Sequence, residues 1–364
     1  MSEQKTVVVG MSGGVDSSVA AYLLREQGYR VIGVTMRTWQ DEKQETLEMD
    51  GGCCGLSAVE DARRVAQVLD IPYYVMDFRQ EFQTQVIDYF MREYQEGRTP
   101  NPCIACNRYV KWEALLQRSM AIGADYIATG HYARIRHLDS GRYAIEHSVT
   151  AKKDQTYALY NLTQEQLART LMPVGEYEKD RIRKIAEEAG LPVSGKPDSM
   201  EICFVPDGDY ASYIEEQTGK KSSPGNFVDT QGNVLGRHRG IIHYTVGQRK
   251  GLGLALGYPA FVVKIKTDTN EVVIGRMEDN LSQKVYMHRV NTMAEPELSE
   301  NKTYLGKIRY NHAGSPCQVH RLEEDLYECI FPEPQRGVTP GQALVLYDEA
   351  LVAGGGTIIR AKAN

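Results

Sequence analysis

Eight residues near the amino terminus, Gly10-Met11-Ser12-Gly13-Gly14-Val15-Asp16-Ser17, follow the apolar run Thr6 to Val9 and precede an Ala- and Leu-rich segment. A glycine-rich turn set between a strand and a helix brings backbone N–H groups close to an anion. Ser12 and Ser17 add hydroxyl donors, and the helix aims its positive end at the same spot. The turn lacks the Lys of a Walker A loop and the Gly-x-Gly-x-x-Gly of a dinucleotide fold. It reads as a cradle for the pyrophosphate of a nucleotide rather than an ordinary helix cap, and so predicts a chain that uses ATP.

Apolar strand-like runs recur at Thr6 to Gly10, Arg30 to Met36, Pro72 to Met76 and Asp125 to Thr129, separated by segments of helical periodicity. That alternation predicts an α/β fold with a parallel sheet. One covering helix is signed by Ser57-Ala-Val-Glu60, a capping box; another is expected from about Arg108 toward Gly123. Ligands of such sheets sit beyond the carboxyl ends of the strands, so Gly10 to Ser17, Met36 and Thr129-Gly130-His131 should converge. Met36 suits contact with an adenine ring as well as a place in the core.

With 364 residues and 42% hydrophobic content the chain can bury two or three cores. No stretch approaches the roughly 18 apolar residues of a membrane span, and the start of the chain lacks the pattern of a secretory signal, so no membrane association and a cytoplasmic location are expected. The net charge of -6 argues against a purely electrostatic nucleic-acid binder, although local charge can overrule a total.

Glu178 to Gly190 reads as a further helix, and Lys196 to Pro206 as a loop bracketed by prolines. Beyond Tyr210 short alternating runs such as Phe261 to Lys266 and Glu271 to Ile274 indicate β structure. From Lys284 the alternation continues through Tyr304 to Tyr310, Leu326 to Phe331, Ala343 to Tyr347 and Thr357 to Arg360, as in a small closed barrel. The expected domains are 1–208, 209–283 and 284–364. Between Asp229 and Asp268 no acidic residue occurs, whereas Arg237, Arg239, Arg249, Lys250, Lys264, Lys266, His238 and His243 do. A positive field beside an ATP site suits a polyanion such as RNA.

Seven cysteines are too few and odd in number for a disulfide scaffold, so thiols are expected to be reduced and pairs among them to do chemistry. Cys106 lies at the end of Thr99-Pro-Asn-Pro-Cys-Ile-Ala-Cys-Asn107, just before a predicted helix, where the dipole favours a thiolate. It is the candidate nucleophile, with Cys203 on the distant loop as its partner. A competing reading makes Cys103 and Cys106 half of a zinc site completed by Cys53 and Cys54. Adjacent cysteines seldom both ligate one zinc and no His stands at ligand spacing, so no metal site is expected. Cys317 and Cys329 sit in strand-like surroundings as ordinary buried thiols.

Together, SGGVDS, Asn101-Pro-Cys-Ile-Ala-Cys-Asn107, Gly130-His131-Tyr132, Lys153-Asp154-Gln155 and Asp198-Ser-Met-Glu-Ile-Cys-Phe204 resemble the motifs of the tRNA-specific 2-thiouridylases, within the PP-loop ATP pyrophosphatases. The resemblance implies a PP-loop catalytic domain, a small central domain and a C-terminal β-barrel that helps hold tRNA. It assigns Gly10, Met11, Ser12, Gly13, Gly14, Val15, Asp16, Ser17, Met36 and Gly130 to ATP, Cys106 to the nucleophile and Cys203 to a persulfide intermediate. It implies that Asn101, Pro102 and Cys103 meet the target base, and that His131, Lys153, Asp154, Gln155, Arg309, Tyr310 and Gln342 touch tRNA.

The implied reaction is adenylation, with ATP and Mg²⁺, of the C2 oxygen of the wobble uridine in a tRNA anticodon loop. Sulfur from a persulfide donor protein then replaces that oxygen, carried on the enzyme as a persulfide or released as free sulfide. Many members of the resembling family carry Asp where this chain has Cys103, and that Asp has been proposed as a general acid/base. A thiol is a weaker substitute, which leaves the base open between Cys103 and another group. Two rivals stand beside this reading: a nucleotide-amidating PP-loop synthetase, for which no glutaminase-like segment is evident, and a zinc-stapled RNA-binding protein without catalysis.

Overall fold

Three consecutive valines and a terminal glycine make Thr6–Gly10 strand β1, and all three valines are fully buried. Such two-sided burial is what a parallel sheet under helices demands of its central strand. The computed structural model describes residues 4–38, 56–197 and 202–362. Cys53, Cys54 and the motif residues Asp198 to Glu201 lie outside the described residues.

Strands β2 (Arg30–Arg37), β3 (Tyr73–Asp77) and β4 (Tyr126–Ala128) follow, then the hairpin of β5 (Ala133–His137) and β6 (Tyr143–His147), and the short β7 (Thr170–Leu171). The central sheet runs β3-β2-β1-β4-β7 with every pairing parallel. The order reverses between β1 and β4, and the crevice at such a switch point is where open α/β sheets bind ligands. Helices α1 (Val15–Glu26) and α2 (Leu56–Val68), with the helix Lys179–Glu188, bury Val19, Leu24, Val65, Ile182 and Ile185 against Val7 and Val9.

Two sequence expectations are corrected here. Ser57 falls inside α2 rather than at its start, because helix formation already includes Leu56. The helix expected from Arg108 begins six residues earlier, at Pro102, and continues to Ala121 through a π-helical stretch over Cys106–Leu115. Proline is well suited to the first helical position, where no N–H is needed.

The chain divides into two compact units: residues 1–87, 103–208 and 350–352, and residues 88–102, 209–349 and 353–364. In the second unit, Tyr210–Thr218, where β structure alone is expected, is a helix. The Asp209 carboxylate caps it by accepting from Ser212 N, and Gly219 closes it in the left-handed region at φ 65°. Strands β8 (Gly225–Val228), β9 (Val234–His238), β10 (Phe261–Lys266) and β11 (Glu271–Gly275) form a sheet in the order β10-β11-β8-β9 over Phe227, Tyr244, Val262 and Val272.

The remaining strands are β12 (Leu281–Thr292), β13 (Tyr304–Lys307), β14 (Ser315–Glu323), β15 (Leu326–Arg336), β16 (Ala343–Asp348) and β17 (Leu351–Lys362). They run β12-β15-β14-β13-β16-β17, and pairing of β12 with β17 closes a six-stranded barrel around Val285, Met287, Phe331 and Leu346. Closure removes the exposed strand edges that an open sheet would present. Among the described residues no helix is long and apolar enough to cross a membrane.

Candidate active site

The glycine turn closes over the carboxyl end of β1 as its composition dictates. Met11 N donates to Val34 O (2.8 Å), Thr35 Oγ1 donates to Met11 O (2.8 Å) and Tyr73 Oη donates to Thr35 Oγ1 (2.7 Å), so the turn is anchored to β2 and β3. Gly13 sits at φ +68°, and a Cβ there would fall 2.4 Å from Ala58 O. Gly14 caps α1 without a side chain, which leaves the first N–H groups of that helix open to an anion. Ser12 is exposed at the mouth and its N–H donates to Ser17 Oγ at 3.1 Å.

Gly130, just past β4, forms the opposite wall. A Cβ on it would stand 2.5 Å from Ser17 N and 2.6 Å from Asp16 C, so only glycine lets the two ends of the switch point meet. Met36 is half-buried at the edge of β2, in register with Met76. Thus Gly10 to Ser17, Gly130 and the strand-end Met36 occupy the carboxyl edge of one sheet.

Within the turn the roles divide. The side chains of Met11 and Val15 are buried, so these residues present backbone only. Asp16 has its own partners: its carboxylate accepts from Lys179 Nζ at 2.7 and 2.9 Å and from Tyr132 Oη at 2.6 Å. This pair locks α1 to the Lys179–Glu188 helix, and neither Lys179 nor Tyr132 stands out in the sequence as a site residue.

Both central thiols belong to the first unit. Because the helix begins at Pro102, the first turn contains the exposed Cys103, and Cys106 lies one turn further in, half-buried, at the onset of the π-helical stretch. The dipole argument made for Cys106 therefore applies mainly to Cys103, since the effect fades within the first turn. π-Helical segments are frequent at functional sites, and this one starts at Cys106. Cys203 is half-buried, and its neighbour Phe204 is buried edge-to-face on Phe82 (5.7 Å between ring centres). The helix ending at Phe82 packs in turn against the Cys106–Leu115 stretch, so the Cys203 loop is tethered to a direct neighbour of the Cys106 helix. Cys317 and Cys329 are fully buried in the barrel, and burial raises Cys317 to about 12.

His131 lies between two partners. Its Nδ1 is 2.7 Å from Thr129 Oγ1, its Nε2 is 3.4 Å from Lys111 Nζ, and its ring lies 5.3 Å from that of the buried Trp112. Burial, and then the Lys111 ammonium, hold its pKa well below the usual histidine value, so it is neutral at pH 7. Both ring nitrogens are engaged, and the half-buried ring forms part of the site wall.

The other residues expected at tRNA also have internal partners. The Asp154 carboxylate faces His147 Nδ1 at 3.0 Å and accepts from Ser148 N at 2.9 Å. Gln155 accepts from Tyr132 N through its side chain and donates its own N–H to Tyr132 O, both at 3.0 Å. Lys153 is half-exposed beside them. In the second unit, Gln342 Nε2 donates to the carbonyls of Thr99 (2.9 Å) and Pro100 (3.2 Å), fixing the segment directly ahead of Asn101 and the buried Pro102. Arg309 Nη1 donates to Arg336 O, while Tyr310 exposes its ring.

The basic run of the second unit is narrower than its composition suggests. Arg237, Arg239, Arg249, Lys250 and Lys264 are exposed, but Lys266 pairs with Glu271 at 3.0 Å. Burial lowers the pKa of His238 and His243, which leaves both neutral at pH 7.

Residues 5–207 match the tRNA methyl transferase HUP domain, residues 211–276 the tRNA methyl transferase PRC-barrel domain and residues 282–358 the aminomethyltransferase beta-barrel domain. The chain is 65% identical over 356 residues to a tRNA-specific 2-thiouridylase MnmA of Lachnoclostridium phytofermentans, covering 98% of this chain and 100% of that protein. It is 55% identical to proteins of the same name from Clostridioides difficile and Acetivibrio thermocellus, in each case over 98% of this chain and 99% of the relative. The domain descriptions speak of methyl transfer and the relatives' names of thiolation. The relatives match 98% of the chain at 55–65% identity, and Cys103, Cys106 and Cys203 of this chain suit sulfur rather than methyl chemistry.

Proposed function

The chain belongs to the tRNA-specific 2-thiouridylase family and is a tRNA sulfurtransferase, and we propose that Cys106 and Cys203 carry the sulfur while Gly10 to Ser17, Met36 and Gly130 hold ATP. The observation that carries this reading is the contact of Gly130 with the start of α1, which forms a backbone-lined anion cradle at the sheet's switch point in the unit that also bears both thiols.

The C2 oxygen of the wobble uridine is a poor leaving group, and ATP supplies the adenylyl group that makes it a good one. The open N–H groups at Gly14 and the start of α1 would receive the departing pyrophosphate. Mg²⁺ fits as an ion held chiefly by phosphate oxygens and water, because both oxygens of Asp16 already face Lys179. The uridine leaves its stack in the anticodon loop to reach the site, with Asn101, Pro102 and Cys103 beside it. The exposed Arg237, Arg239, Arg249, Lys250 and Lys264, with Arg309 and Tyr310, suit the phosphates and bases of the same tRNA.

A donor protein loads sulfur onto Cys203 as a persulfide. Its terminal sulfur bonds to C2 as AMP departs with the former C2 oxygen. The Cys106 thiolate then attacks Cys203 Sγ, the Cys203 sulfur–sulfur bond breaks, and the released electron pair stays on the sulfur now bound to uridine. The resulting Cys106–Cys203 disulfide is reopened by a dithiol reductant, two electrons per turnover. Cys103, exposed on the first helical turn and standing where many family members carry Asp, would exchange the proton in its place. The reaction belongs to the cytoplasm, with its tRNA.

Nucleoside mass spectrometry of tRNA incubated with the protein, ATP, Mg²⁺ and a persulfide-loaded donor tests this. We expect 2-thiouridine with stoichiometric AMP. Stoichiometric bound zinc with neither product would overturn it.

A further inference from the structure

Lys111 is a half-buried cation in the wall of the candidate site, and among the described residues its ammonium has two partners, neither of them a carboxylate. It donates to Asn107 Oδ1 at 2.9 Å and lies 3.4 Å from His131 Nε2. An ammonium has three donors, so one remains. A cation partly withdrawn from water without a counter-charge bears a cost that an arriving anion offsets.

The surrounding network orients this group. Asn107 Nδ2 donates to Ala158 O at 2.9 Å, which turns its Oδ1 toward Lys111. Thr129 Oγ1 holds His131 Nδ1, and the neutral ring keeps the Nε2 lone pair toward the ammonium. Lys179, the other lysine near the turn, is neutralised by Asp16 and cannot play the same part.

Its location follows from the chain. Lys111 is tied to His131, the residue after Gly130, whose backbone abuts Ser17 N. Leu115, one turn along the same helix, lies against Gly10, where an added Cβ would be 3.7 Å from Leu115 Cδ2. The helix therefore brings Lys111 alongside the cradle, next to the turn that carries Gly130.

We propose that Lys111 contacts the α-phosphate of ATP and stabilises the charge on its non-bridging oxygens as the uridine C2 oxygen attacks. In that step the C2 oxygen–phosphorus bond forms, the bond from phosphorus to the β-bridging oxygen breaks, and its electron pair leaves with pyrophosphate. The proposal rests on the adenylation reading above and adds a residue to it.

The test compares wild type, Lys111→Gln and Lys111→Arg in single-turnover AMP formation with ATP, tRNA and Mg²⁺, alongside tRNA affinity and thermal unfolding. We expect Lys111→Gln to slow AMP formation on the order of 10²-fold with tRNA affinity and melting unchanged, as for loss of one transition-state donor. Lys111→Arg should recover a good part of that rate. ATP bearing sulfur at one α-oxygen should show a stereoselective rate loss in wild type that shrinks in Lys111→Gln. Equal AMP rates for wild type and Lys111→Gln would overturn the proposal, as would a loss confined to tRNA affinity, which would assign the ammonium to a tRNA phosphate. A Lys111→Gln protein that melts early overturns it too if Lys111→Arg melts normally yet stays as slow. Absence of tRNA-dependent AMP from wild type itself would instead sink the adenylation reading.

Discussion

The ammonium of Lys179 lies 2.7 and 2.9 Å from the two carboxylate oxygens of Asp16, across 163 residues of chain. Asp16 belongs to the first turn of α1, the helix whose amino end faces the cradle. Asp16, inside the motif proposed to hold ATP, thus also ties α1 to the Lys179–Glu188 helix through its side chain. Lys179→Ala should strand the Asp16 carboxylate, of which only 29% of the side chain is exposed, and lower stability by about 2–3 kcal/mol. Denaturant unfolding checks this, and the double variant Asp16→Asn/Lys179→Gln should recover part of the loss.

Replacing Gly130 by Ala puts a methyl group 2.5 Å from Ser17 N, a backbone atom that cannot swing aside. We expect at least a tenfold weakening of ATP binding, with about 1–3 kcal/mol lost to overpacking. Titration with ATP, alongside a melt of the nucleotide-free protein, separates the two effects.

Cys106→Ser and Cys203→Ser should each abolish 2-thiouridine formation and leave tRNA affinity within about twofold of wild type, since neither thiol is needed to bind phosphates. Cys103→Ser should retain measurable turnover. Full activity of either of the first two variants in a single-turnover assay contradicts the assignment. Alkylation at pH 8 should modify Cys103 and leave Cys317 and Cys329 untouched, because burial holds Cys317 near 12 and Cys329 well above the ordinary thiol range.

His131 also has a pH signature. Its pKa is depressed in the fold, so the unfolded chain binds its proton more readily, and the native state loses stability as pH falls through about 6.5 and below. His131→Asn should make the drop in melting temperature between pH 7 and pH 5 shallower. An unchanged slope would mean that the ring is not held neutral. His238, His243, His288 and His312 are depressed in the same direction and should preserve a residual slope.

Gln342→Ala removes two donors from the carbonyls of Thr99 and Pro100. If Gln342 acts through that segment, thiolation should slow several-fold at saturating tRNA while the salt dependence of tRNA binding stays as in wild type. A changed salt slope would instead mark it as a direct phosphate contact.

Local patterns made much of this protein readable in advance. The four apolar runs of the first unit lie within a residue of strands β1 to β4, because their β-branched residues and bounding turns are local facts. The barrel's alternation, the buried Cys317 and Cys329, and glycines needed where backbones meet were legible for the same reason. The helix Tyr210–Thr218 carried its own signals in Asp209 and Gly219, but they were masked by the β texture that follows.

What tertiary structure alone decided was where the polar side chains point. Asp16, Asp154 and Gln155 sit in motifs suggestive of ligands and Gln342 is assigned by resemblance, and each also hydrogen-bonds to other parts of the protein. Asp154 finds His147, Ser148 and Thr156 within a few residues of itself, whereas for Asp16, Gln155 and Gln342 the partners come from segments remote in sequence. The same holds for Lys111, which no motif marks and which the π-helical stretch and the turn after β4 bring to His131. Periodicity and turn chemistry act over a few residues and so can be read from the chain, whereas a buried charge takes its partner from whatever the fold delivers beside it.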